Sequence, residues 1–259
     1  MNPPLVAGNW KMHCTTSEAA ALARAIVEGV RSIDGVETVI APPFTALAAV
    51  GEALKGSGVK LAAQNVHWEG KGAYTGEVSP AMLLELDCRF VIVGHSERRH
   101  LFHESDSTVA NRFAGALRAG LRPILCVGET LEERRKRATM RVVGRQLRSA
   151  LKQWTKGAIG KFDVAYEPVW AIGTGQNATP EQISTVHRSI RNFLRQSFGS
   201  RGAAGTRILY GGSVKPENIG EIAGISEVNG VLVGGASLQA DGFLIIVREF
   251  SLRTKRPRA

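Results

Sequence analysis

Aromatic residues make up only 6% of this 259-residue chain, there are three cysteines, and acidic residues (23) are outnumbered by basic ones (33). Each shortage excludes something. No apolar run approaches the ~18 residues needed to cross a bilayer, and the best stretch, Val39 to Val50, is broken by Pro42, Pro43 and Thr45, so no membrane span is expected. Cys14, Cys88 and Cys126 are odd in number and widely spaced, which fits neither a disulfide framework nor a CxxC metal or redox motif and suits a reducing cytoplasm. The start, Met1-Asn2-Pro3-Pro4, lacks a basic and an apolar region, so no signal peptide is predicted. No strand-like run is followed by GxGxxG with an acidic residue about 20 positions on, which disfavours a dinucleotide-dependent redox enzyme.

The net charge of +10, with arginine dominating the basic set, raises the question of a polyanionic partner. The densest basic stretch, Arg134 to Arg137 with Arg141, Arg145 and Arg148, shares its sequence with Glu132 and Glu133 at helical spacing. It reads as a solvated helix face, and the run from Arg253 to the end reads as a short frayed tail. No nucleic acid is expected as a partner.

What the chain has in abundance is alternation. Strand-like apolar runs occupy Leu5 to Asn9, Val36 to Ala41, Val59 to Gln64, Arg89 to Gly94, Pro123 to Val127, Phe162 to Glu167, Arg207 to Gly211 and Val228 to Val233. Helical patterns follow at Ser17 to Arg31, Phe44 to Lys55, Pro80 to Leu86, Ser107 to Ala119, Leu131 to Trp154, Pro180 to Phe198, Pro216 to Ala223 and Gln239 to Leu252. The strands are continuously apolar, as in a parallel sheet buried on both faces. Eight βα units without a Pro/Gly/Ser-rich linker predict a single-domain α/β protein, a closed (β/α)8 barrel spanning residues 1–259.

In such a barrel the chemistry sits at the C-terminal ends of the strands. The first run ends Gly8-Asn9-Trp10-Lys11, the fourth Gly94-His95-Ser96-Glu97-Arg98, and the sixth Tyr166-Glu167-Pro168. The last two end in Gly211-Gly212-Ser213 and Gly234-Gly235-Ala236. Alone, each has a plain structural reading: a surface lysine, a hydrogen-bonded histidine, a strand-capping acid, ordinary glycine turns. Together they bring a cation, an imidazole, a carboxylate and two glycine-rich turns to one rim.

From Val6 through Ser237 the chain resembles the triosephosphate isomerase family. The resemblance rests on Ala7 to Met12, Gly94 to Arg99, Ala165 to Gly175, Tyr210 to Val214 and Val233 to Leu238. It implies interconversion of dihydroxyacetone phosphate and D-glyceraldehyde 3-phosphate through an enediol(ate), in glycolysis and gluconeogenesis, with no cofactor and no metal. By resemblance Glu167 is the base, His95 the electrophile, Lys11 the cation beside substrate, and Asn9 a further polar contact. Ser96 and Glu97 would position their neighbours, and the phosphate would lie on Gly173, Ser213, Gly234 and Gly235. The lid would be Pro168, Val169, Trp170, Ala171, Ile172, Gly173, Thr174, Gly175, Gln176, Asn177 and Ala178. The long connection Asn65 to Glu77 would insert into a second subunit, where Thr75 supports the partner's site, which implies a homodimer. Gln176-Asn177, Tyr74 and Asn229 depart from common family residues, the last where an acidic residue is usual. Two other readings compete: an isomerase of a tetrulose phosphate, and an inactive barrel that binds polyanions.

Overall fold

The computed structural model describes residues 2–152, 160–172 and 177–255. Eight strands, all parallel, close on themselves in chain order, each hydrogen-bonded to the next and the last to the first. They are β1 (Leu5–Asn9), β2 (Glu37–Ala41), β3 (Lys60–Ala63), β4 (Cys88–Val93), β5 (Arg122–Val127), β6 (Asp163–Tyr166), β7 (Ile208–Tyr210) and β8 (Gly230–Val233). Two apolar layers hold this ring. Inside it Leu5, Ala7, Val39, Ala62, Phe90, Ile92, Ile124, Cys126, Leu209 and Leu232 meet side chain to side chain. Outside it the other faces of the same strands meet the helices, where Trp10, Phe113, Phe162, Phe243 and Phe250 are wholly buried. Each such side chain contributes roughly 1.5–3 kcal/mol by leaving water.

The helices are α1 (Thr16–Val30), α2 (Leu47–Leu54), α3 (Pro80–Glu85), α4 (Ser96–His100), α5 (Asp106–Ala119), α6 (Leu131–Arg135), α7 (Thr139–Leu151), α8 (Pro180–Gly205), α9 (Ile219–Gly224) and α10 (Ala240–Lys255). Several start where the sequence places a hydroxyl. Thr179 Oγ1 accepts from Gln182 N and its own N–H donates back to Gln182 Oε1, with Pro180 in the first turn. The helical pattern expected from Ser17 starts earlier, at Thr16, and its cap is Thr15, whose N–H and hydroxyl both donate to Glu18. The hydroxyl three residues before the glutamate wins because the carboxylate reaches back one turn.

Three expectations change. The helix expected over Leu131 to Trp154 is two, because Arg137 adopts φ +55 and Ala138 N–H returns to Glu133 O, closing α6 before α7 begins; Gln153 and Trp154 lie outside the described residues. The helix expected to stop at Phe198 does break there, at Gly199 (φ +77, ψ 172), but resumes to Gly205. The basic tail is anchored at its first residue: α10 runs to Lys255, and Arg253 donates to Val228 O (2.5 Å) and Ser226 O (3.1 Å). The Arg-rich stretch is likewise partly tied down, since Arg134 pairs with Glu129 and Arg145 with Asp106, while Arg135, Arg137, Arg141 and Arg148 stay exposed.

At the strand N-termini an ionic cluster fills the barrel floor. Asp163, at the start of β6, is fully buried and receives Arg122 and Arg207, each in a forked pair of hydrogen bonds of 2.6 to 2.9 Å. Arg207 also bonds Glu37 (2.5 Å) and Pro3 O (3.2 Å). Burial alone would raise the Asp163 carboxyl, but these two guanidinium groups more than reverse it and hold it below the usual range.

Candidate active site

The opposite rim carries a pocket of about 220 Å³. Asn9, Lys11, His95, Glu167, Ile172, Ser213, Gly234 and Gly235 all line it. Residues as far apart in sequence as Asn9 and Gly235 thus face one small volume, because β1, β4, β6, β7 and β8 all end there.

Lys11 follows β1 in a left-handed backbone conformation (φ +52), which a non-glycine residue adopts only under constraint. Two neighbours supply it. Asn9 Oδ1 accepts from Lys11 N (3.0 Å), and Gln64 Nε2 donates both to Lys11 O (2.7 Å) and to Ala41 O (2.9 Å), tying the turn to β2. The ammonium lies 2.6 Å from Glu97 Oε1. Asn9 therefore shapes the lysine turn as well as lining the pocket.

His95 caps α4. Its Nδ1 accepts from Glu97 N (3.3 Å), so the ring proton of the neutral tautomer sits on Nε2, 3.1 Å from Glu167 Oε1. Glu167 is only 2% exposed, and its other oxygen accepts from Ser96 N at 2.8 Å, at the start of the same short helix. Ser96 thus acts through its backbone, and Glu97 touches both Lys11 and His95.

The backbone around Glu167 is held as tightly. Glu167 N donates to Val127 O (2.8 Å), and Gly128 passes so near that a Cβ there would lie 1.7 Å from Glu167 O. Only glycine fits that crossing. Cys126 is fully buried beside Glu167; burial first, and then the carboxylate, push its thiol well above the usual range, so it stays protonated.

Of the expected lid, Val169–Ala171 forms a 3-10 turn, Ile172 faces the pocket, Asn177 is exposed and Ala178 buried. Gly173, Thr174, Gly175 and Gln176 lie outside the described residues. The turn after Pro168 is clasped by Glu129, whose Oε1 accepts from Trp170 Nε1 (3.0 Å), Tyr166 OH (3.2 Å) and Arg134 (3.1 Å), with the guanidinium 4.4 Å from the indole centroid. Thr75 is exposed on its loop and does not line the pocket of its own chain. That loop is pinned at its base: Arg112 bonds Glu77 twice (2.9 Å each) and Val66 O (2.6 Å).

Gln64, Gly128 and Glu129 escaped sequence reasoning. Gln64 left one signal, an amide directly after the apolar Leu61-Ala62-Ala63; the other two resemble ordinary loop residues until their partners are known.

The protein-family model described as triosephosphate isomerase matches residues 4–250. The chain belongs to the triosephosphate isomerase family. A triosephosphate isomerase of Geotalea uraniireducens is 49% identical over 248 residues, covering 96% of this chain and 99% of that one. That of Moorella thermoacetica is 52% identical over 250 residues, covering 95% and 98%. The crystal structure of triosephosphate isomerase from Bartonella henselae superposes with a TM-score of 0.87 at 41% identity, over 96% of this chain and 99% of that chain. Family membership makes this barrel an aldose–ketose isomerase of triose phosphates. Among the described residues no helix is long and apolar enough to cross a membrane.

Proposed function

We propose that this chain interconverts dihydroxyacetone phosphate and D-glyceraldehyde 3-phosphate by proton transfer through an enediol(ate), with Glu167, His95 and Lys11 as the catalytic residues. The observation that carries the assignment is the convergence of Glu167 and His95, 3.1 Å apart, with the Lys11 ammonium in one pocket. Glu167 removes the carbon-bound proton and returns it to the neighbouring carbon. To do so its carboxylate leaves the Ser96 N–H and turns toward substrate, exchanging a solvent-poor resting position for the reacting one. The Nε2–H of His95 donates to the carbonyl oxygen as charge develops there, and Lys11 stabilises the enediolate and phosphate. The proton that His95 gives to one oxygen is recovered from the other, so no net change remains on the enzyme.

The phosphate lies at the ends of β7 and β8, where Ser213, Gly234 and Gly235 face the pocket and, in this reading, Gly173 joins them from the lid. Closure of Pro168 to Ala178 keeps water from the enediolate, which would otherwise shed phosphate. The whole chain works as one domain.

The chain also pairs as a homodimer in a reducing cytoplasm. Met12 (93% exposed), Met82, Leu101 and Phe102 are large apolar side chains left uncovered, together with Tyr74 on the projecting loop that carries Thr75. Large apolar side chains left in water fit burial against a second copy of the chain. The three thiols are free.

Glu167→Gln tests the base. It keeps the shape and the Ser96 contact, and turnover in a coupled assay should fall by several decades, about 4 kcal/mol or more of barrier. Near-normal turnover removes Glu167 from that role. A four-carbon ketose phosphate run in parallel decides the substrate, and preference for it would overturn the triose assignment.

A further inference from the structure

We propose that Arg99 is a positioning residue for this isomerisation: its guanidinium, bonded at once to the carbonyls of Gly94 and Cys126, fixes the two walls between which Glu167 lies. The inference rests on reading Glu167 as the base.

Arg99 sits on α4, three residues past Ser96, and its side chain is 8% exposed. It does not line the substrate pocket. Nε donates to Gly94 O (2.8 Å), one terminal nitrogen to Cys126 O (3.1 Å), and the other to Asp106 Oδ1 (2.9 Å). Each acceptor matters to the site. Gly94 immediately precedes His95, takes φ +70, and stands so close that a Cβ there would lie 2.9 Å from the Arg99 guanidinium. Cys126 belongs to the strand that sets the Glu167 backbone through Val127 O, and its thiol abuts the carboxylate.

The two ends of Glu167 are therefore placed by different strands. Its main chain hangs on β5, whereas its carboxylate rests on Ser96 N at the end of β4. Arg99 spans those strand ends. Behind the carboxylate, Arg99, Ser96, Gly128 and Val169 enclose an interstice too small for a water molecule. The packing there has no slack, so a displacement of either strand end is passed to the carboxylate itself.

Burial works against the charge on Arg99; Asp106 first and Glu167 at longer range favour it. Asp106 is held in turn from α7, by Arg145 on its carboxylate and by Ser149 Oγ on its carbonyl (3.1 Å). The guanidinium is thus oriented from the helical layer before substrate arrives. A planar fork suits this task, because three acceptors in three directions are met by one rigid group.

The test measures kcat and KM for glyceraldehyde 3-phosphate, and Ki for inorganic phosphate, in Arg99→Lys, Arg99→Met and Glu167→Gln, with thermal melts of each. Arg99→Lys keeps the charge but cannot hold both carbonyls, and kcat should fall about tenfold; Arg99→Met should lose about a hundredfold, the scale of a 1 Å misplacement. KM and the phosphate Ki should stay within about twofold, since the phosphate site lies on β7 and β8. Full kcat in folded Arg99→Lys overturns the proposal, and so does a loss shared equally by kcat, KM and phosphate binding, which would mean a general loosening. If Arg99→Met fails to fold, Arg99→Lys decides alone. An active Glu167→Gln instead refutes the base assignment, whereas inactive Glu167→Gln beside fully active Arg99→Lys sinks only the role of Arg99.

Discussion

Lowering the pH from 7 to 5 should destabilise this barrel through one side chain, His187. It lies on α8 with no exposed surface, its ring edge-on to Tyr166 at 6.0 Å, and Nδ1 donates to Glu227 O at 3.3 Å. Among the described residues Nε2 has no partner. Burial lowers its pKa from 6.5 to about 4; the Glu227 carbonyl opposes this, and the nearby Arg191 charge adds to it. Between those two values the unfolded chain binds a proton that the native state refuses. Stability is therefore complete above about pH 6.5 and is lost as pH falls toward 4. The full effect is about 3 kcal/mol and some 2 kcal/mol of it is lost by pH 5, at 1.36 kcal/mol per unit. That is a large part of a typical 5–15 kcal/mol. Urea melts at fixed protein concentration, at pH 7, 6 and 5, measure it while most carboxylates remain ionised. His187→Gln keeps a donor for Glu227 O and removes the titration, so its curve should be flatter over this window. Equal slopes in both proteins would refute the argument.

Gly128→Ala should fold poorly or lose most of its activity, because the added methyl meets the Glu167 carbonyl; an active, equally stable variant would contradict the crossing described above. Asn229→Asp replaces the neutral acceptor of Arg191 (2.6 Å) and Ile208 N (3.0 Å) by a charged one and should gain about 1 kcal/mol, or 2–4 °C in Tm. A lower Tm would show that desolvation outweighs the pair. Phe102→Glu combined with Met82→Lys should shift sedimentation from dimer to monomer and reduce kcat; unchanged mass at micromolar concentration would remove these side chains from the interface.

The barrel was legible because its code is local. Each strand is a short apolar run, several helices follow with a capping hydroxyl, and polar residues interrupt the pattern just where strands 1, 4 and 6 stop. The rim chemistry could be read for the same reason: Asn9, His95 and Glu167 stand where an apolar strand stops. What could not be read depends on distant partners. Gln64 matters only because Lys11 and Ala41 turn their carbonyls toward it, and Glu129 only because Tyr166 and Trp170 reach it from the end of β6 and the turn that follows. The break at Arg137 carries no glycine or proline to announce it, and is imposed by the return of Ala138 N–H to Glu133 O.

The packed apolar layer inside the ring, with the ion pairs around Asp163 beneath it, leaves the substrate pocket open at one rim only. With the interior filled by side chains, a small molecule arriving among Asn9, His95 and Ser213 has no rear exit, and traffic in both directions shares one doorway. A departing aldose then stands in the path of an incoming ketose. Each species obstructs the other's conversion by mere occupancy, and net flux at high total concentration depends on how fast the mouth clears.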